Sequence, residues 1–221
     1  MRKLIRNKIY NIFKKLDLDN PLEFARTILA PLCKEKLNHN IVNCKDCNSC
    51  DKFERKQAIG NPNANILIID DNATDNEEID NYMLDIIEAA GLSLDDVFII
   101  NSISCVLKRT FHGEEIIRNA THKESKNCKY FVDHAIDFVK PRAIIIMGAS
   151  GLSMYNKDVT LEQAAGTYID VKGIKAIVTY SAKGLFTMLE NMNEEEVNEI
   201  AETVLSHVSN VAQYIDNLER R

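Results

Sequence analysis

No stretch of this chain approaches the roughly 18 consecutive apolar residues that cross a bilayer, so a spanning helix is not expected. The start also lacks the separate apolar core of a secretory signal. Arg2, Lys3, Arg6, Lys8, Lys14 and Lys15 are interleaved with apolar residues up to Leu16, and a cytoplasmic location is expected. Positive charge is scarce elsewhere. The net charge is -6, and no basic residue falls between Lys56 and Lys108. That span carries Asp70, Asp71, Asp75, Glu77, Glu78, Asp80, Asp85, Glu88, Asp95 and Asp96, most of which read as a solvated acidic face. The overall charge therefore does not mark a nucleic-acid binder, although it can conceal a local basic patch. Six cysteines in a chain expected in the cytosol argue against a disulfide scaffold and suggest bound metal, a cluster or scattered buried thiols.

With 221 residues, 45% of them hydrophobic and 27% charged, the chain can fold as one sizeable α/β domain with additional helices. Residues 2–16 have near-helical apolar spacing, and Asn20-Pro21 opens a second helix to about Leu37, kinked or split at Pro31. Residues 38–63 read as a loop. Buried strands follow at Ala64–Ile69, Val97–Ile100, Ala143–Met147 and Ala176–Thr179. Helices are expected from the loop at 70–76 to Ala90, from Ser125 to Val139, over 149–155, from Lys183, and from Glu194 to Leu218, while 106–124 reads as polar and irregular.

Strands alternating with helices predict a three-layer α/β/α architecture around a mostly parallel four-stranded sheet. The organisation is an N-terminal helical extension at 1–37, an α/β domain at 38–190 and a C-terminal helix at 191–221. Ligands of such sheets sit at the carboxyl ends of the strands. Those ends carry Asp70-Asp71, Asn101, Gly148 and Tyr180-Ser181, residue types that also serve simply as turn formers.

Cys44-x2-Cys47-x2-Cys50 precedes the first strand, Cys105 follows the second, and Cys128 opens a helix. Four such thiolates suit a [4Fe–4S] cluster or a zinc ion. Cys44, Cys47, Cys105 and Cys128 are the chosen set, with Cys50 spare or replacing one of the first two. Cys33 lies in an apolar helical segment and is expected in the core.

These segments resemble, in order over residues 44–185, the family 4 uracil-DNA glycosylases, the iron–sulfur branch of that superfamily. Cys44-Lys-Asp-Cys47 with Arg55 downstream is similar to the family's C-x2-C opening, and Asn61-Pro-Asn-Ala64 to its NPxA before an apolar strand. Asp95-Asp-Val-Phe-Ile-Ile-Asn101-Ser-Ile-Ser-Cys105 resembles DDVYITNVVKC, and Pro141-Arg-Ala-Ile-Ile-Ile-Met-Gly148 resembles PRVIVALG. The resemblance implies a glycosylase fold with a cluster on the four chosen cysteines. It places base reading at Asn101, beside Asn72 and Tyr180, and water activation at Asp71, where the family has its glutamate, or at Glu77. The chain departs from the family elsewhere. GEAPG becomes Asp70-Asp-Asn-Ala-Thr74, the segment with the stacking phenylalanine is missing, and the late histidine is replaced by Ser181-Ala-Lys183.

Hydrolysis of a deoxyuridine bond needs a flipped base held against an aromatic face, a reader of its edge, a donor for the departing anion and a placed water. Asn101 can read, Asp71 or Glu77 can place water, and Ser181 or Lys183 is left to donate. Tyr82, Phe111 and Tyr180 are the nearest aromatics. His112, between two cluster cysteines, is the histidine best placed to face DNA. Lys108, Arg109 and Lys183 are expected at phosphates, together with the basic start. Two functions are therefore expected. One is a DNA glycosylase for uracil or another damaged base. The other is a catalytically degenerate relative that binds DNA or a replication or repair protein through its terminal helices. A zinc-bound α/β protein unrelated to DNA is a third.

Overall fold

The computed structural model describes residues 21–47, 54–189 and 191–220. The helix expected over 2–16 and Cys50 lie outside them. The chain forms α1 (Pro21–Val42), β1 (Ile59–Gly60), β2 (Ile66–Asn72), α2 (Glu77–Ala89), β3 (Val97–Ile103), β4 (Lys108–Phe111), β5 (Glu114–Ile117), α3 (His122–Val139), β6 (Ala143–Met147), α4 (Ala149–Tyr155), α5 (Leu161–Ala164), β7 (Tyr168–Val171), β8 (Ile174–Thr179), α6 (Ala182–Leu189) and α7 (Glu194–Glu219).

The main sheet has the order β1-β3-β2-β6-β8-β7. Its four central strands are parallel, and β1 and β7 pair antiparallel at the two edges. The expected parallel core is present, but the sheet has six strands rather than four.

Uninterrupted apolar runs build this sheet because both of its faces are covered. In β2, Leu67 and Ile69 enter one core, shared with Leu37 and Ile41 of α1 and Phe131, Val132 and Ala135 of α3. Ile66 and Ile68 enter the other, shared with Met83 and Ile87 of α2 and Val204, Val208 and Val211 of α7. Burying each such side chain contributes about 1.5–3 kcal/mol relative to exposure. Helix α1 runs through Pro31 to Val42, into the span expected to be loop, and Cys44 follows it, partly buried against the first core.

Three of the longer helices start on side-chain caps. Asn76 caps α2, and Thr121 with Glu124 and Asn193 with Glu196 form capping boxes on α3 and α7. Among the described residues no helix is long and apolar enough to cross a membrane.

Candidate functional site

Strand β2 does not stop where its apolar run stops. It continues through Asp70, Asp71 and Asn72, so three polar residues expected in a loop are held in the ladder instead. Asp70 pairs in register with Asn101 of β3. The Asn101 amide donates from Nδ2 to Asp70 Oδ2 at 3.2 Å and to the Asp71 carbonyl at 3.1 Å. Asp70 Oδ1 is buried with no hydrogen-bond partner. Burial pushes the Asp70 carboxyl up to about 7, helped by the nearby Asp71 and Asp80 charges and opposed by Lys183.

Asp70 and Asn101 line a cleft of about 260 Å³ whose walls also include Ile59, Met83, Leu84 and Ile99. An ion pair between Lys56 and Asp80 stands at the same cleft. No aromatic side chain lines it among the described residues. Tyr82 packs edge-on against Phe186, with ring centroids 5.6 Å apart, and Tyr180 is half-buried against the α2–α7 core.

Asp71 has a different setting. Its Oδ1 accepts from the Asn72 amide nitrogen at 2.8 Å, and its Oδ2 accepts from Ser181 Oγ at 3.3 Å. Gly148 makes this possible. A Cβ there would stand 2.6 Å from Asp71 Oδ2, and the residue has a φ of +96°, which side-chain-bearing residues rarely adopt. Ser181 is buried, and its oxygen accepts from Gly184 N at 3.1 Å. Its single proton is directed at Asp71.

Of the other expected site residues, Lys183 is brought near Asp70. Asn72 is buried, and neither its Nδ2 nor its Oδ1 is partnered. Glu77 is exposed on the first turn of α2 and bonds to none of Asp71, Asn101 or Ser181 among the described residues. Sequence reasoning placed Asp70 at a strand end but missed it as a site residue, along with Lys56 and Asp80. The available signal was an Asp-Asp pair stepping out of a buried strand.

The four chosen cysteines converge from three parts of the chain. Cys128 is buried and its thiol is pushed up to about 12, first by burial and then by the nearness of Cys105, Cys47 and Cys44. Asn127 Nδ2 donates to Cys47 Sγ at 3.5 Å and to the Asp46 carbonyl at 2.7 Å. Arg55 Nη2 donates to the Cys44 carbonyl at 3.0 Å, and Arg55 bridges to Cys105. No three described His, Cys, Asp or Glu side chains stand close enough together to hold a metal ion. The chemistry of the donor set nevertheless fits a thiophilic group. Cys105, Cys47 and Cys44 lie near enough to Cys128 to disfavour its thiolate, and a bound cation would reverse that effect. Cys33 is half-buried on α1 rather than fully in the core.

Residues 108–117, expected to be irregular, form a hairpin beside these cysteines. Lys108 pairs with Asp75 and Glu115, which leaves it less free for phosphate than expected. Arg109 is exposed with its guanidinium 5.8 Å from the exposed Phe111 ring, and His112 stacks edge-on at 4.3 Å.

A family model described as the uracil DNA glycosylase superfamily matches residues 58–205. No curated protein matches the chain.

Proposed function

Because the chain belongs to the uracil DNA glycosylase superfamily, we propose that it is an iron–sulfur, DNA-directed member that takes an unstacked base into the Asp70–Asn101 cleft and hydrolyses its N-glycosidic bond. The observation that carries this reading is the meeting of Asp71 and Ser181 beside Gly148, at the same carboxyl end of the sheet where Asp70 and Asn101 line a cleft.

In the proposed reaction, Asp71 orients a water and takes its proton as the oxygen bonds to the sugar C1′. Ser181 fixes the carboxylate from behind. The C1′–N bond breaks with its electron pair going to the base, and Lys183, close enough to act on the Asp70 charge, neutralises the departing anion. Cys44, Cys47, Cys105 and Cys128 would hold a [4Fe–4S] cluster, with Cys50 the substitute ligand. A cluster held there would tie together the end of α1, the segment after β3 and the first half of α3. Exposed Arg109 and Phe111 on the hairpin supply a phosphate contact and a ring for an unstacked base.

A second reading is a catalytically degenerate binder. The exposed Glu77 and the cleft without an aromatic wall favour it.

The test is base release from single- and double-stranded oligonucleotides carrying uracil, hypoxanthine, xanthine or guanine, with binding followed as salt is varied. Release supports the glycosylase. Salt-dependent binding without release supports the degenerate binder, since phosphate contacts release counterions. Neither binding nor release overturns both.

A further inference from the structure

The cleft offers an unusual set of hydrogen-bonding groups. Asn101 has two N–H donors, and both are directed inward, at Asp70 Oδ2 and the Asp71 carbonyl. The amide cannot be turned over without setting its oxygen against the Asp71 carbonyl, because a backbone carbonyl only accepts. The side-chain oxygen is therefore what Asn101 has left to present. Asp70 adds a carboxylate on the same wall, with Oδ1 buried and unpartnered, a costly arrangement for a charged oxygen. Ile59, Met83, Leu84 and Ile99 offer only apolar contact. The space of about 260 Å³ suits a single ring system rather than a whole nucleotide.

A uracil edge presents acceptor, donor, acceptor. Lys56 at this cleft is paired with Asp80, and Gln57 adds an amide that can donate or accept. Against the Asp70 and Asn101 oxygens, two of the three uracil groups face like partners. A guanine-type edge presents a ring N–H beside an amino group, two adjacent donors that match one oxygen of Asp70 and the side-chain oxygen of Asn101. Resting on the base-binding reading of this cleft, we propose that Asp70 is its specificity-determining residue and that Asp70 and Asn101 together select a nucleobase edge with two adjacent N–H donors, of the guanine type, over uracil.

The experiment is a methyl NMR titration of the full-length protein, purified without oxygen, following Met83, Leu84 and Ile99. It is run at pH 8, where Asp70, with its carboxyl at about 7, is mostly ionised. The probes are 2′-deoxyguanosine, 2′-deoxyinosine, which lacks the amino group, and 2′-deoxyuridine. The expected order is deoxyguanosine, then deoxyinosine, then deoxyuridine, with about ten- to a hundredfold between first and last, the value of one bidentate base contact. Asp70→Asn, nearly the same size, replaces one acceptor with a donor and should favour deoxyuridine. Leu84→Trp, which adds bulk to the cleft lining, should abolish all three responses.

Equal or tighter binding of deoxyuridine by the wild type overturns the proposal, as does an unchanged order in Asp70→Asn, or no methyl response to any nucleoside. The titration needs neither DNA binding nor catalysis. A protein inert on oligonucleotides that still prefers deoxyguanosine would sink the glycosylase reading alone.

Discussion

Ser181 Oγ donates to Asp71 Oδ2 at 3.3 Å, joining the loop after β8 to the end of β2 across 110 positions of sequence. The contact closes the carboxyl end of the sheet between two strands that are not neighbours. Ser181→Ala should remove both this bond and the one accepted from Gly184, a loss of about 1–3 kcal/mol for a buried group. Urea denaturation would measure it. If Asp71 positions the water, base release should fall further than stability does, while the metal content stays unchanged.

The Asp70 carboxyl rises from its ordinary 3.8 to about 7 in the folded protein. The folded state therefore holds a proton that the unfolded chain has released across that interval. The stabilising contribution is complete below about 4 and is lost as pH rises through about 7. Asp70→Asn should flatten this slope and be more stable than wild type at pH 8 relative to pH 5. Urea midpoints at pH 5, 6 and 8 would show it, and a slope that persists in the variant would assign the titration to another group.

Glu124 works in the opposite direction. Arg118, bonded at 2.7 and 2.9 Å, and Thr121 hold its carboxyl down at about 2, from an ordinary 4.5. Its contribution is present above about 4.5 and is lost as pH falls through about 2, so the two carboxyls act in separate windows. Glu124→Gln should cost about 1.5–3 kcal/mol at neutral pH, the range for hydrogen bonds to charged groups. The start of α3, which carries Asn127 and Cys128, should fray in hydrogen exchange.

The proposed cluster should give a brown protein with broad visible absorbance when purified without oxygen, whereas zinc would leave it colourless. Cys105→Ser and Cys128→Ser should lose the metal, and Cys33→Ser should retain it. Colour retained in Cys44→Ser but lost in Cys50→Ser would move the first ligand.

The parallel core was legible because β2, β3, β6 and β8 are apolar on both faces, which leaves long runs such as Ile66–Ile69. The strand ends were not. Asp70, Asp71 and Asn72 look like turn formers until the ladder with β3 shows that tertiary pairing holds them extended. Two hairpins were missed for a shared reason. The turns His112-Gly113 and Lys172-Gly173 both have positive φ at both residues, +50° and +90°, and +56° and +83°. Sequence patterns anticipate Asn or Asp before the glycine in such turns. Here histidine and lysine take the left-handed position, so β4–β5 and β7 stayed hidden. At the site, Asn101 was legible as a residue but its donor direction was not, because that depends on Asp70, 31 positions away.

A short strip of backbone joins the two halves of the proposed site. Lys56 N donates to the Ser104 carbonyl at 2.8 Å and Val106 N donates to the Glu54 carbonyl at 2.9 Å, so Glu54–Lys56 is laced to the segment that carries Cys105. The same strip bears Lys56, which closes on Asp80 at the cleft. The thiol loop and the cleft thus share one strip of backbone, the physical route by which ordering at one end would be felt at the other. Reciprocity then requires that whatever factor metal adds to affinity in the cleft, a molecule held in the cleft adds to the retention of metal. If a metal is bound, its equilibrium partition between the protein and a chelator would therefore report occupancy of a cleft the chelator never touches.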